Sequence, residues 1–399
     1  MQVIKDNWHA GGGISLAPNG MRVLSRLGLT EQLAGQVGEE LLDFNLLGSE
    51  GETIVSFKQR SRERYGHPAV GFRRYRLRAA LLEAARREPG VTIHTGHRLV
   101  SLDCGEAAAS AAAATGSSSS TSSVASSAAG PRPATLVFEN GASFTADLVV
   151  GCDGIRSRVR AAVRGADEPP PSYTGTEEVI CITRGRNEDL VPPSGLNLIL
   201  GTGPRQFGTY GVGPEVMWFA SRRRPESRDS WGAVKTPQEQ EAVRRELLEE
   251  FKGWTLVEQL VQRDVDIMMR VGIYDRPPVS SWVRGVVTLA GDAASPIPPN
   301  LGQGGNKALE DAGVLVECIR RFRGDVPAAL QLYQRLRVPR AAALLGDTRK
   351  GGEVSGLDSP LFIAVRNALL RAFVGVTGGL PLGWLWSYDT KKVVREARL

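Results

Sequence analysis

The stretch Gly285-Val286-Val287-Thr288-Leu289-Ala290-Gly291-Asp292-Ala293-Ala294-Ser295-Pro296-Ile297-Pro298-Pro299-Asn300-Leu301-Gly302-Gln303-Gly304-Gly305-Asn306-Lys307-Ala308-Leu309-Glu310-Asp311-Ala312 decides the reading of this chain. Val286, Val287 and Leu289 form a short apolar strand that ends in Gly291-Asp292. A Pro/Gly loop follows. Apolar residues at 308, 309, 312, 315, 316 and 319 then predict a helix with those positions as its apolar stripe. The carboxylate of Asp292 thus stands at the carboxyl end of a strand, where open α/β sheets place their ligands. The glycines let backbone amides approach a ligand at the helix N-terminus. Asp292 is the foremost candidate binding residue.

A second segment has the same logic. Ala146-Asp147-Leu148-Val149-Val150-Gly151-Cys152-Asp153-Gly154-Ile155-Arg156-Ser157-Arg158-Val159-Arg160 is an apolar strand, a tight Asp-Gly turn and the start of a basic helix. An isolated Asp-Gly marks an ordinary turn more often than a site. Two such units separated by a domain-sized interval are far more specific.

The two segments together resemble the paired motifs of the class A flavoprotein monooxygenases, a family that includes aromatic-ring hydroxylases, urate hydroxylase and zeaxanthin epoxidase. Asp292, Pro299, Gly302, Gln303, Gly304, Gly305, Glu310 and Asp311 fall at matching positions of the second motif. Asp153, Gly154, Ser157 and Arg160 match the first. Ser295 stands where the family often has His. Gly11 to Gly20 followed by Arg22, Leu24, Leu27 and Gly28 is similar to the family segment after the second strand of its FAD domain. Arg74-Tyr75-Arg76-Leu77 is similar to its Arg-x-x-Leu helix entry, with Arg76 in place of a commonly acidic residue. Tyr173-Thr174-Gly175 and Ile273-Tyr274-Asp275-Arg276-Pro277 extend the resemblance over nearly the whole chain.

The resemblance implies FAD as cofactor and NAD(P)H as co-substrate. It assigns cofactor binding to Ser15, Arg74, Leu99, Asp153, Gly154, Gly291, Asp292, Pro299, Gly302, Gln303, Gly304, Gly305 and Asn306. The fold it implies is α/β: a Rossmann-like FAD-binding domain of the glutathione-reductase type, an α+β substrate domain built on an antiparallel sheet, and a C-terminal helical region. The implied reaction inserts one oxygen atom from O2 into a small aromatic, heterocyclic or isoprenoid substrate through a C4a-hydroperoxyflavin. No catalytic acid or base is demanded by the sequence. The same fold also serves halogenases and isoprenoid reductases, which remain alternatives within enzymes.

A dinucleotide-binding fold of this type opens with a strand, a Gly-x-Gly-x-x-Gly turn, a helix and a second strand ending in an acid. The triple glycine at 11 to 13 does not supply it, because the spacing needs Gly or Ala where Leu16 stands and Pro18-Asn19 would break the helix. The expectation is that roughly 30 residues, one opening βαβ unit, are missing. Asp6 is a possible stub of the acid-bearing strand. On that expectation FAD retention by the 399-residue chain is poor, and a flavin-free remnant that binds a small molecule or a partner is the alternative from outside the enzymes.

Composition narrows the class. At 399 residues and 42% hydrophobic content the chain can bury a sizeable core in two domains. Its net charge of +6 is dispersed. Arg222-Arg223-Arg224 is the one tight cluster near the middle and reads as a solvated face, with no interleaved aromatics to suggest nucleic acid. Cys104, Cys152, Cys181 and Cys318 lack disulfide or metal spacing, and His9, His67, His94 and His97 make no ligand cluster with them. No metal is expected. Reduced thiols imply an intracellular protein, cytoplasmic or organellar, with any targeting peptide in the missing N-terminus. No Gly-x-Ser-x-Gly nucleophile elbow is present, which removes hydrolase chemistry of that kind.

These anchors organise the chain. Residues 1–169 read as the first part of the FAD-binding domain, 170–282 as the substrate domain, 283–350 as the second FAD-binding part and 351–399 as the C-terminal helices. Val91 to Leu102, with His94 and His97, and Thr135 to Val150 read as strands. Between them, 106–133 is almost all Ala, Ser, Thr and Gly, expected to be a disordered insertion at a hairpin tip; a helix at 107–114 would be too short to stand alone. Leu196 to Leu200, Gln206 to Val212 and Val216 to Ser221 predict a meander forming one wall of a substrate cavity, followed by helix at 237–262. Residues 359–387 are hydrophobic but interrupted by Arg366, Asn367 and Arg371. They predict no transmembrane span, and read as helix packed on the body, with a lid or interfacial patch as alternatives. Substrate identity and oligomeric state are not legible.

Overall fold

The computed structural model describes residues 11–106, 132–165, 167–185, 195–228 and 231–398. Asp6, His9, the proposed helix at 107–114 and the Ala107 to Gly130 tract lie outside them. The strands flanking that tract, Leu99–Asp103 and Ala134–Phe138, pair antiparallel, with Ser143–Ala146 completing a three-stranded sheet.

The quoted stretch forms strand Val287–Leu289, which runs parallel to Val149–Gly151, so the two carboxylate-bearing loops leave one sheet side by side. A second small sheet joins Gly13–Leu16 to Val70–Arg73, and the latter to Gly38–Glu40. Pro18 does not interrupt a helix here. It opens one, Pro18–Ser25, at the first-turn position where its missing N–H costs nothing.

The substrate side is an eight-stranded sheet. Gly195–Leu200, Gln206–Gly211 and Val216–Arg223 lie in it as expected, joined by Ser172–Thr183 and Val265–Asp275, which the sequence reading did not predict as strands. It also recruits Asp43–Gly48, parallel to Gly195–Leu200, and Thr53–Lys58 at its edge. Residues 43–58 therefore belong to this sheet, contrary to the boundary at 169. A buried polar ladder explains the recruitment: Asn45 donates to Asn197 at 2.8 Å, Asn197 to Thr209 at 3.1 Å, and Ser56 to Asn45 at 2.6 Å. Helices Pro237–Glu250 and Thr255–Val261 cover one face, closing a core around Phe207, Trp218, Leu247, Phe251 and Trp254.

Other expectations need correction. Arg222 is no solvated residue: strand alternation turns it inward, fully buried, onto Glu177 and Glu246, both at 2.8 Å. His94 and His97 are not on a strand. No described strand runs beside 91–98, Val91 and Ile93 stay exposed, and the imidazoles lie against Phe138 and Phe144. The boundary at 350 falls inside helix Val326–Ser355. Helix Pro360–Thr377 packs on the edge strand Thr53–Lys58 through one face only, with Leu370 and Val374 joining the core there.

Candidate functional site

Helix Gly304–Arg321 overturns its predicted stripe. Its buried face is Asn306, Lys307, Glu310, Asp311, Val314, Leu315 and Cys318, while Ala312 and Val316 are exposed. Charged residues can occupy that face because helix Val326–Ser355 supplies counter-charges. Arg337 lies 2.7 Å from Asp311 and 3.0 Å from Glu310, and Arg340 lies 2.9 Å from Glu310. Burial opposes ionisation of Asp311, but the Lys307 and Arg337 charges outweigh it and hold the carboxyl below its usual range.

This network builds the loop at Asp292. Asp311 accepts the Gly291 amide at 2.9 Å, and Lys307 donates to the Gly291 carbonyl at 3.1 Å. From the other side, the Arg160 guanidinium donates to the carbonyls of Ala293 and Ala294 at 3.1 and 2.6 Å. With its neighbours pinned, Asp292 itself makes no hydrogen bond through its carboxylate among the described residues. The side chain reaches solvent although protein atoms surround it closely. Burial there raises its pKa, against the lowering effect of Lys307 and Arg74. The exposed surface and the deep surroundings agree if the carboxylate lines the floor of an open cleft, which is what a ligand-binding acid requires.

The glycine turn forms the next wall. Gly302 has φ +61°, a left-handed conformation that disfavours other residues, and the space a Cβ on Gly304 would enter is empty. A Cβ on Gly305 would stand 2.8 Å from the tip of the Ile14 side chain, so the helix start lies close against strand Gly13–Leu16 and a larger residue there would have to push Ile14 aside. Ser15 borders the turn, its hydroxyl 3.4 Å from where a Gly302 Cβ would be. Pro299 opens the turn and accepts the Gly302 amide at 2.7 Å. The side chains of Gln303 and Asn306 face inward instead. Asn306 accepts the Ala17 amide at 2.8 Å and donates to the Gly302 carbonyl at 2.9 Å, and Gln303 accepts from Asn19 at 3.0 Å. Both shape the turn, leaving its backbone to meet a ligand.

Arg74 starts helix Arg74–Arg87 beside Gly11, and its exposed guanidinium makes no hydrogen bond or ion pair among the described residues. Leu99 and Asp153 lie elsewhere in the loop cluster, joined through Arg158, whose amide donates to Asp153 at 2.7 Å and whose guanidinium donates to the Leu99 carbonyl. Both Asp153 oxygens are occupied, one by Ser157 and one by the amides of Arg158 and Val159. Its carboxylate caps the helix start, leaving Gly154, φ +81° and unobstructed, as the exposed backbone of that turn. Ser295, buried, continues the Asp292 loop by donating its amide to Gly291 at 3.0 Å.

The face of the eight-stranded sheet turned away from its two covering helices is buried against this part of the chain. Gly12 and Gly13 pack directly on Ile180, Met217 and the Tyr210 hydroxyl. Two residues from Ile180, Glu178 is buried on the same face with Ser221 donating at 3.3 Å, and burial pushes its carboxyl up to about 7. Sequence reading missed Glu178, although the alternation Glu178, Ile180, Ile182 signals an acid among inward residues. It also missed Lys307 and Arg337, for which a single sequence offers no signal.

An unengaged acid at a strand end, a left-handed glycine turn opening a helix, and a free arginine beside them have the chemistry of a flavin nucleotide site. Residues 9–348 match the family described as FAD binding domain. The chain belongs to the FAD-binding monooxygenase family. It is 32% identical to the aurachin C monooxygenase/isomerase of Stigmatella aurantiaca, covering 90% of this chain and 84% of that protein. It is 28% identical to the 3-hydroxybenzoate 6-hydroxylase of Klebsiella oxytoca, covering 97% and 89%. Among solved structures, Klebsiella pneumoniae HpxO complexed with FAD and uric acid superposes with a TM-score of 0.74 at 24% identity, covering 91% of this chain and 84% of that one. The likeness to HpxO concerns the fold. Asp292, Arg74, Ser15 and the 302–305 turn are therefore the candidate cofactor-facing residues of this flavin monooxygenase.

Proposed function

We propose that this chain is an NAD(P)H-dependent monooxygenase that uses FAD to insert one oxygen atom from O2 into a small aromatic, heterocyclic or isoprenoid substrate lying against the Glu178–Ile180–Tyr210–Met217 face. The observation that carries the proposal is the Asp292 carboxylate, exposed just beyond strand Val287–Leu289 and without a hydrogen-bond partner among the described residues. Asp292 would accept hydrogen bonds from the sugar-alcohol hydroxyls of the cofactor, and Arg74 and Ser15 would border the same ligand. Bound FAD supplies the redox and oxygen-activating chemistry, which no side chain here can provide. The chain's own part is orientation and electrostatics. The N-terminus of helix Gly304–Arg321, with its amides and partial positive charge, stabilises negative charge placed at the 302–305 turn. The buried sheet face opposite excludes water, and Glu178 offers a hydrogen-bonding carboxyl to a polar group on the substrate.

The test is turnover with FAD, NADH or NADPH, and isotopically labelled O2 against a panel of phenols, nitrogen heterocycles and isoprenoids. The expected result is substrate-stimulated oxygen uptake and one labelled oxygen atom in the product. NAD(P)H consumption with a reduced or halogenated product and no label would contradict it and favour the alternative enzymes on this fold.

A further inference from the structure

A helix that packs on a soluble body turns polar residues outward. Helix Pro360–Thr377 does the reverse. At 100° per residue, Gly375, Ala368, Leu361, Ala372, Val365, Val376, Leu369, Phe362 and Phe373 form one continuous outward arc without a polar side chain. Leu361, Phe362, Leu369 and Val376 are 69, 62, 66 and 88% exposed. The inward side is already engaged: Leu370 and Val374 enter the core, Arg366 donates to the Val354 carbonyl at 3.2 Å, and Arg371 to that of Ile54 at 3.2 Å. By length and composition this helix could cross a membrane, but its engaged inner face holds it flat on the protein.

We propose that this arc is a membrane-docking surface that seats the enzyme in the interfacial plane of an anionic lipid bilayer. Three observations choose the lipid. From Ser359 to Tyr388 there is no Asp or Glu, and of the two ionised side chains Arg366 is buried while Arg371 is exposed at one edge of the arc. Arg64 adds a third cation at the helix C-terminus, donating to the Gly378 carbonyl at 3.2 Å, and the chain carries a net charge of +6. Trp384, 41% exposed just beyond the helix, is an indole of the kind that settles at headgroup level. A second copy of the chain fits less well. One helix arc about 27 Å long and about 10 Å wide has a footprint of roughly 300 Å², well under the ~800 Å² per partner of a stable interface.

Flotation of the full chain with vesicles of phosphatidylcholine containing about 30% phosphatidylglycerol tests this. The wild type should float with the vesicles, less so with pure phosphatidylcholine. Leu369→Glu/Phe373→Glu should weaken partitioning at least tenfold with no loss of thermal stability, since both side chains face solvent. Wild-type protein that stays with the aqueous phase, or a double variant that floats equally well, overturns the proposal. So does a dimer in light scattering that the double variant converts to monomer without any flotation, which would assign the arc to a second copy.

Discussion

Glu178 is the residue whose chemistry separates most clearly from its neighbours. Its carboxyl is buried on an apolar sheet face with Ser221 as hydrogen-bond donor, and its pKa is raised to about 7. A carboxyl raised on folding is neutral in both states below the unfolded value. As pH climbs from about 4.5 through 7, the folded state must bear an ionisation the unfolded state accepts freely, so stability falls over that window. Glu178→Gln should therefore leave thermal stability nearly unchanged at pH 5 and raise it at pH 8 by up to about 3 kcal/mol. Equal effects at both pH values in thermal melts would show that the carboxyl titrates normally. Asp311 does not blur this test. Its pKa is lowered, so its contribution is complete above the unfolded value and is lost only as pH falls through the lower folded one.

At the scale of elements, the glycine turn and its helix act as one unit held by Asn306. That amide satisfies the Ala17 N–H and the Gly302 carbonyl, joining the helix start to the end of strand Gly13–Leu16. Asn306→Ala leaves both groups buried without their partner and should cost roughly 1 to 3 kcal/mol in chemical denaturation. FAD affinity should fall with it, although the Asn306 side chain never faces the cofactor crevice. Unchanged flavin affinity in a destabilised variant would separate the clamp from the site. The turn itself was readable in the sequence, because proline and glycine act locally, and the strands at 195–223 were readable from alternation. The face of helix Gly304–Arg321 was not. Its apolar positions marked one stripe, whereas Glu310 and Asp311 are buried by arginines that arrive 26 to 30 residues later, Arg337 and Arg340, with Lys307 paired to Asp311. A pairwise charge interaction between helices leaves no periodic trace. The same limit hid the recruitment of Asp43–Gly48 by Gly195–Leu200, a parallel pairing across about 150 residues.

For the whole molecule, that ion network is where the pieces meet. Glu310 accepts from Asn19 of the first helix at 2.7 Å and from Arg340 of the long helix at 2.9 Å. Arg340 also donates to the Trp384 carbonyl at 3.1 Å, and Arg22 reaches the Tyr388 carbonyl at 2.7 Å, fastening the C-terminal segment to the first helix. Arg337→Ala removes one of the two cations paired with each of two buried carboxylates, Glu310 and Asp311, and should cost up to about 3 to 5 kcal/mol. A loss under 1 kcal/mol in urea denaturation would mean that the carboxylates find other partners. Everything this network supports converges on one exposed carboxylate, so the decisive measurement is FAD affinity by fluorescence titration of wild type and Asp292→Ala. The variant should keep its fold by circular dichroism and bind FAD roughly tenfold to a hundredfold more weakly, the loss of one charge-assisted hydrogen bond. A folded Asp292→Ala variant with wild-type affinity would contradict the assignment of this crevice as the flavin site.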